Sequence, residues 1–587
     1  MANEKDIKHW RRRLESLEAE RKRGWEAHWR DLAFHFMPRR ARFLDAGEKT
    51  NAGDRRNYLY DDMGILARRT LSAGMQTGLT SPARPWFSLT LRYEDLAKAE
   101  AVKYWLHATF EGLVSVFAQS NFYDQIHLLY DELGVFGTGV LLIEEDDRNV
   151  IRCRTLTVGE YCLDVNASGR VDTLYRRVRM SARQIMQAWP NSTPDRIRNM
   201  AENDNPEWLD VLHIVEPARG GAPGPQVAAQ PESVGGAAGG RARRSANQDK
   251  RPWRSVYLML QGSKDEVLED SGYYEFPALC PRWNTTASDV YGSSPAMDAL
   301  GDCLSLQSLA KDGLEALEKE VKPPLLALQG AGMTRVNLAP GAVNWASNLG
   351  LNQAPVVSPL LQVRANLAAL DQYKAQIKQQ IREVFFNDLF LMLANVNKQM
   401  TATEVAERNA EKMLMLGPVL DRLRSELFQP LIERVFGIMW RRGDVPPPPP
   451  EVVETGEGLQ IEFVSILAQA QKAAGLAAVT NTVGFVGQMA QMAPEVLDKL
   501  NVDEAVEQVA GMNGVPPKLL RSDEEVMQIR QQRAEQMAQQ QQMAQLSQMA
   551  GLAQQGAGAM KDSGLNPADM AKAQALQQEQ PEGEANV

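Results

Sequence analysis

The stretch MTATEVAERNAEKMLMLGPVLDRLRSELFQPLIERVFGIMWRRGDVPPPPP, residues 400–450, reads as a long amphipathic helix that carries its own breaks. Val405, Leu416, Leu420, Leu423, Leu427, Leu431 and Val435 supply a continuous apolar stripe. Thr401 and Glu404 have capping-box spacing at its start, and the run Pro446–Pro450 stops it. In its middle, Gly417-Pro418 predicts a kink, because proline removes a ladder donor and clashes with the preceding turn. Pro430 offers a second break. The alternative is two or three separate helices joined by tight turns.

Upstream of this helix the chain is mainly helical back to residue 294. Ser294-Pro295 is a capping hydroxyl followed by proline in the first turn, and Met297, Leu300, Leu304, Leu314 and Leu317 mark one face of the helix it starts. Pro323-Pro324 ends that helix, 325–360 is irregular, 361–384 is a second helix and 385–400 a loop. Residues 135–215 change character, with short β-rich runs such as VFGTGVLLIEED and VIRCRTLTV. Residues 217–252 are Gly-, Ala- and Pro-rich, cannot bury enough apolar surface to order themselves, and form a flexible insertion before β-rich WRSVYLML. Residues 4–37 and 61–80 read as helices, the latter with Gly64, Gly74 and Gly78 allowing close packing, and 95–133 as two helices. The Gln/Met-rich segment from 521 has helix propensity but few apolar points, so it is either a helix held by neighbours or disordered. The fold class is α+β, mainly helical.

With 587 residues, 44% hydrophobic and 24% charged, the chain is globular and long enough for three or four folding units. Its net charge of −10 excludes a simple DNA-binding polycation. The charge is uneven: residues 1–56 carry a net +5 and residues 451–510 a net −7. Cys153, Cys162, Cys280 and Cys303 lack CxxC spacing and have no His nearby, which predicts buried reduced thiols rather than a metal site or a disulfide framework. The charged start MANEKDIKHWRRRLE is no signal peptide. The uncharged run 473–494 is long enough to span a bilayer, but its Thr, Asn, Gln and Gly residues favour small-residue packing inside a soluble assembly.

Catalytic signatures are absent. No GxxxxGK[ST], HExxH or GxSxG occurs, and FGTGV (136–140) lacks the Lys and Ser/Thr that hold phosphate and Mg²⁺, so it reads as a tight turn into a strand. EEDDRN (144–149) has four carboxylates, but a solvated hairpin tip explains them. His28 and His35 lie seven apart on a helix without further ligands. These residues call for no cofactor, no metal and no enzyme. One constellation stands out: Lys374, Lys378 and Arg382 follow at i, i+4 and i+8, one axial stripe of cations. It faces a polyanion, or it is a solvated face paired with Glu315, Glu318 or Glu320 of the earlier helix.

Four blocks now in view, YLYDDMGILARRTLSAGMQTGLTSPARPWFSL, DELGVFGTGVLLIEED, FPALCPRWNTTASDVYGSSPAMDAL and MTATEVAERNAEKMLMLGPVLDRLRSELFQPLIERVF, recur in an order that resembles the head-to-tail connector, or portal protein, of short-tailed bacteriophages. The resemblance covers roughly residues 10–450. It implies a ring, usually of twelve subunits, at the unique capsid vertex, through which double-stranded DNA is packaged, retained and ejected. The implied subunit has a wing at 1–293, a first stem helix at 294–322, a clip at 323–360 and a second stem helix at 361–384. A tunnel loop at 385–400, a kinked wing helix at 401–450, a helical crown at 451–555 and a disordered tail at 556–587 complete it. Lys374, Lys378 and Arg382 on the second stem helix, with Lys398 in the tunnel loop, become candidates to face DNA. Gly417 and Pro418 become the bend of the wing helix. The implied partners are the terminase large subunit, scaffolding and major capsid proteins and a tail adaptor, with no membrane. The implied location is the virion, and the host cytoplasm during assembly. Another homo-oligomeric virion protein, such as an internal core or ejection protein, is the alternative reading.

Overall fold

Helix α5 (Phe122–Phe136) ends in the largely apolar run LYDELGVF. In the computed structural model every residue from Leu129 to Phe136 is buried. The structure describes residues 4–38, 59–91, 99–203, 207–218, 251–260, 266–286, 289–322, 325–327, 357–359, 366–394, 416–455, 460–463, 486, 506 and 523–563. The chain divides into two compact units, Met1–Asn513 and Gly514–Val587.

In the first unit, α5 is wrapped by α2 (Glu26–Phe36), α3 (Met63–Leu79) and α8 (Pro295–Val321), and it feeds β2 (Val140–Asp146). Two polar side chains that α5 carries into the core, Tyr130 and Asp131, find partners there. Asp131 pairs with Arg68 at 2.6 Å and accepts from Ser72 at 2.5 Å, and Tyr130 meets Thr80 at 3.1 Å. This is the condition under which buried polar groups are tolerated.

Strand β2 lies between β3 (Val150–Leu156) and β9 (Ala278–Leu279) in an antiparallel sheet. A second sheet is an antiparallel meander of β4 (Tyr161–Val165), β5 (Val171–Ser181), β6 (Trp208–Pro217), β7 (Trp253–Met259) and β8 (Glu266–Tyr273). Two short helices, α6 (Ala182–Ala188) and α7 (Asp195–Glu202), join β5 to β6. Helix α1 (Glu4–Gly24) covers this sheet with Trp10, Leu14 and Leu17. The segment expected as one helix over 4–37 is two, because the chain turns at Gly24 and Trp25 to pass from the sheet to the central core. The insertion leaves and returns through neighbouring strands: Pro217 pairs with Trp253, and the Ala218 N–H donates to Pro252 O at 2.8 Å. Residues 219–250 lie outside the described part.

Helix α4 (Glu100–Gln119) packs under β1 (Phe87–Thr90), which pairs with β12 (Gln460–Phe463). Thus 460–463, assigned to the crown by the expected division, is tied to residues 87–90 of the wing. Helix α9 (Leu367–Val384) runs against α8, and α10 (Asn387–Ala394) against α3. The described pieces of 323–360, β10 (Leu325–Ala327) and β11 (Val357–Pro359), pair antiparallel. The long helix is described from residue 416 and continues through a π-turn, Arg424–Phe428, into α11 (Gln429–Arg442), ending at Gly443 in the left-handed conformation. A short α12 (Pro450–Thr455) follows.

Three expectations need correction. Residues 385–400 are not all loop: NDLFLMLA folds as α10 because its Phe390 seats on Gly74, where a Cβ would lie 2.1 Å from the ring. The buried face of α8 differs from the expected one, of which Met297 and Leu300 alone pack against the core. It is Ala299, Cys303, Leu306, Ala310 and Gly313, and Leu304, Leu314 and Leu317 are exposed. Gly313 lets α9 approach closely, and Cys303 packs beside Gly64 of α3. In the second unit, α13 (Asp523–Ser563) is a single 41-residue helix that extends into the span expected to be disordered from 556.

All four cysteines are buried free thiols, and burial pushes the thiols of Cys153 and Cys303 up to about 12 and that of Cys162 up to about 11. His213 is fully buried in the five-stranded sheet. Its Nδ1 accepts from Arg176 Nε at 2.9 Å, Nε2 lies 3.1 Å from Ser255 Oγ, and its ring stacks on Tyr257. Burial first, then the Arg176 and Arg154 cations, hold the imidazole well below the usual histidine range. The folded state therefore resists a proton that the unfolded chain takes up near pH 6.5. Stability is retained above that pH and falls as pH drops through it, by up to about 1.4 kcal/mol per pH unit for this one group. In a pH series of melting temperatures, His213→Gln should remove that part of the acid slope.

A second prediction concerns Gly292. A Cβ there would lie 2.5 Å from Gly137 O and 2.8 Å from Asn284 O, both backbone atoms. Gly292→Ala should destabilise the protein by roughly 2 kcal/mol or more. Gly301→Ala, on α8 with open space around it, should be neutral or stabilising by up to about 1 kcal/mol. Denaturant unfolding compares the two.

Candidate functional site

Two sequence blocks that lie 155 residues apart meet back to back. Gly137 caps α5 at φ +71, and a Cβ on it would sit 2.2 Å from Gly292 O. The Gly137 carbonyl accepts from the Trp283 N–H at 2.8 Å, and Thr138 Oγ1 accepts from the Gly292 N–H at 2.8 Å. Ser294 then does two jobs. Its Oγ accepts from the Met297 N–H, capping α8, while its O–H donates to Val135 O at 2.7 Å. The start of α8 is thereby fastened to the end of α5. FGTGV, expected as a tight turn into a strand, is that turn and a packing joint as well.

From that joint α8 carries α9 alongside. Leu370 and Lys374 cross over Gly313, where a Cβ would meet them at 2.8 Å and 3.1 Å, and Ile377 and Ile381 are buried in the contact. Of the predicted cation stripe, Lys374 is half-buried, with Nζ 3.8 Å from Asp371. Lys378 Nζ lies 2.7 Å from Asp61 Oδ2. Arg382 is exposed. The anticipated pairs with Glu315, Glu318 or Glu320 are replaced by these. Those glutamates are exposed, and Glu315 lies 4.0 Å from Lys311 on its own helix. Lys398 lies outside the described residues.

The long helix is held by two polar fasteners that the sequence did not reveal. Pro430 has no N–H to give Glu426, and the ladder accommodates this with the π-turn, in which the Gln429 N–H reaches Arg424 O. Leu423, Leu427, Leu431 and Val435 recur every four residues, a spacing that drifts off one face of an α-helix, and the wider turn brings them back into the core. Glu426, inside this turn, takes the Arg282 N–H at 2.9 Å and Arg282 Nη2 at 2.5 Å. Arg434 is fully buried and donates from Nε and Nη2 to Ile143 O at 3.0 and 2.8 Å, and from Nη1 to Glu275 O at 3.1 Å. Gly417 and Pro418 are the second and third residues of the described helix. The stretch before Leu416 lies outside the described part, and with it the expected bend.

The acidic run 144–149 ends β2 and forms a hairpin tip, and two of its carboxylates are ion-paired. Glu144 pairs with Arg176 and Glu145 with Arg441, and the Asp146 carbonyl accepts from Arg442 at 2.7 Å. Among the described residues no three His, Cys, Asp or Glu side chains group as metal ligands, and no helix is long and apolar enough to cross a membrane. Except for residue 486, the run 473–494 lies outside them.

Comparison with known proteins adds the family. The family described as bacteriophage head to tail connecting protein matches residues 8–520. A portal protein of Salmonella phage epsilon15 is 39% identical over 530 residues, covering 89% of this chain and 90% of that one. A probable portal protein of Bordetella phage BPP-1 is 37% identical over 541 residues, covering 91% and 92%. Among solved structures, a chain from the neck of an empty gene transfer agent particle aligns with 76% of this chain and 91% of its own, at 12% identity and a TM-score of 0.36.

Proposed function

We propose that this chain, which belongs to the bacteriophage head to tail connecting protein family and is a portal protein at the head-tail junction of the virion, assembles into a ring whose channel passes double-stranded DNA. The observation that carries the reading is the family match over residues 8–520, supported by curated relatives that align along about nine-tenths of their length. In this reading the ring has twelve subunits and sits at one capsid vertex. It serves packaging, retention and ejection, and docks the terminase large subunit and later a tail adaptor. Capsid and scaffolding proteins meet the wing. The chain acts without catalysis, as a structural part.

The geometry fits such a role. A DNA conduit must not grip, because several simultaneous Lys/Arg–phosphate contacts release counterions and bind tightly. The acidic balance of 451–510 and the engagement of Lys374 and Lys378 leave a sparse set of cations on α9. We assign α8 and α9 to the stem, with the segment 323–360 between them as the clip. Arg382 and Lys398 are the DNA-facing candidates, and Gly417-Pro418 is the bend of the wing helix.

Negative-stain electron microscopy of the purified full chain tests this reading, with class averages viewed down the particle axis. Rings of about twelve subunits with an open centre are the expected result. Filaments, or closed particles without a hole, would overturn it in favour of an internal virion protein.

A further inference from the structure

Asp61 sits where three helices converge. It lies just before α3, and its backbone is bracketed by one side chain of α8. Gln307 Nε2 donates to the Asp61 carbonyl at 2.5 Å, and Gln307 Oε1 accepts from the N–H groups of Tyr60 at 2.7 Å and Asp61 at 3.2 Å. Both carboxylate oxygens are engaged as well. Oδ1 accepts from the Met63 N–H at 2.9 Å in the first turn of α3, and Oδ2 meets Lys378 Nζ of α9 at 2.7 Å. The Asp61 side chain is 12% exposed and that of Lys378 37%.

An exposed ion pair is ordinarily weak, because two long side chains must be ordered to make it and water competes for both. Here only the lysine needs ordering. The acid is held by its backbone and by its second oxygen before the lysine arrives. A phosphate drawing Lys378 outward would leave a mostly buried carboxylate without its cation, an outcome that costs more than the pair itself contributes. Lys378 lies on the same stripe as exposed Arg382, one turn away. Without Asp61 it would add one cation per subunit to that face.

We propose that Asp61 is a positioning residue that sheathes Lys378: it holds the ammonium against the start of α3, so that the α9 face offers a passing polyanion Arg382 but not Lys378. The proposal rests on the channel reading above. It makes a low-affinity surface out of a sequence that carries three cations in a row, and it does so with an acid more than three hundred residues away. In a ring the effect is multiplied by the number of subunits.

The test titrates assembled full-length protein with a short blunt-ended duplex, following fluorescence anisotropy at several salt concentrations. Asp61→Asn keeps the shape and the cap acceptor and removes the charge. It should bind the duplex more tightly, with the slope of log K against log salt steeper by roughly 0.9 for each new phosphate contact. Asp61→Asn with Lys378→Gln should return to the parent affinity and slope. Lys378→Gln alone, which keeps the α3 cap and guards against misfolding of the Asp61 variant, should leave both unchanged. Weaker binding by Lys378→Gln alone overturns the proposal, because the lysine would already reach DNA. So does an Asp61→Asn gain that survives in the double variant, or no gain at all while Arg382→Gln weakens binding. If Arg382→Gln and Asp61→Asn both leave binding untouched, the channel reading falls and takes the proposal with it.

Discussion

Gly137 and Gly292 approach each other so closely that neither tolerates a side-chain carbon, and most of the first unit is arranged around that contact. The left-handed turn at Gly137 ends the buried α5 and sends the chain into β2. The Gly292 side presents Ser294, which caps α8 and grips the last turn of α5. One short-range steric fact therefore fixes where the α8–α9 pair leaves the core. Backbone-to-backbone packing of this kind has no soft rotamer to absorb error, so the exit direction of α8 is set rigidly.

Around the joint, buried cations do what apolar packing alone cannot. Arg282 reaches from beside Gly137 to Glu426, and Arg434 spends its guanidinium on carbonyls at the β2 edge and after β8. Arg282 reaches the long helix from outside, at its π-turn, and Arg434 reaches out from the helix a few residues beyond. A buried guanidinium is costly unless every donor is aimed, and here the geometry of the fork matches the acceptors. The long helix is thus registered against the sheet and against the joint at once. In a subunit whose proposed task is to hold a channel open, that rigidity keeps the helix pair in place while DNA moves.

Much of this was legible in the sequence. The Ser-Pro start of α8, the glycines of α3, the two helices over 95–133 and the acidic hairpin tip follow from local chemistry, and four motif blocks carried the family. What local chemistry does not hold is which residues meet across long separations. The buried face of α8 was misjudged because leucines outrank alanine, cysteine and glycine in any apolar reading, yet close helix contact selects the small residues. Asp61 was visible only as the first residue of the helical stretch 61–80, with nothing to connect it to Lys378. The π-turn was half visible, in Pro430 and in the four-residue steps of Leu423, Leu427, Leu431 and Val435, but the long stripe distracted from it. Nothing in the sequence marked Arg282 or Arg434.

The central claim is that the α8–α9 pair lines a channel and that its cations are sorted, Arg382 outward and Lys378 held back. A side-chain-resolution electron cryomicroscopy map of the purified ring tests it most directly. The account predicts a central hole wide enough for duplex DNA, with α9 at its wall, Arg382 toward the axis and Lys378 on Asp61. A ring in which α9 faces away from the hole, or in which Lys378 leaves Asp61 and points to the axis, would contradict it.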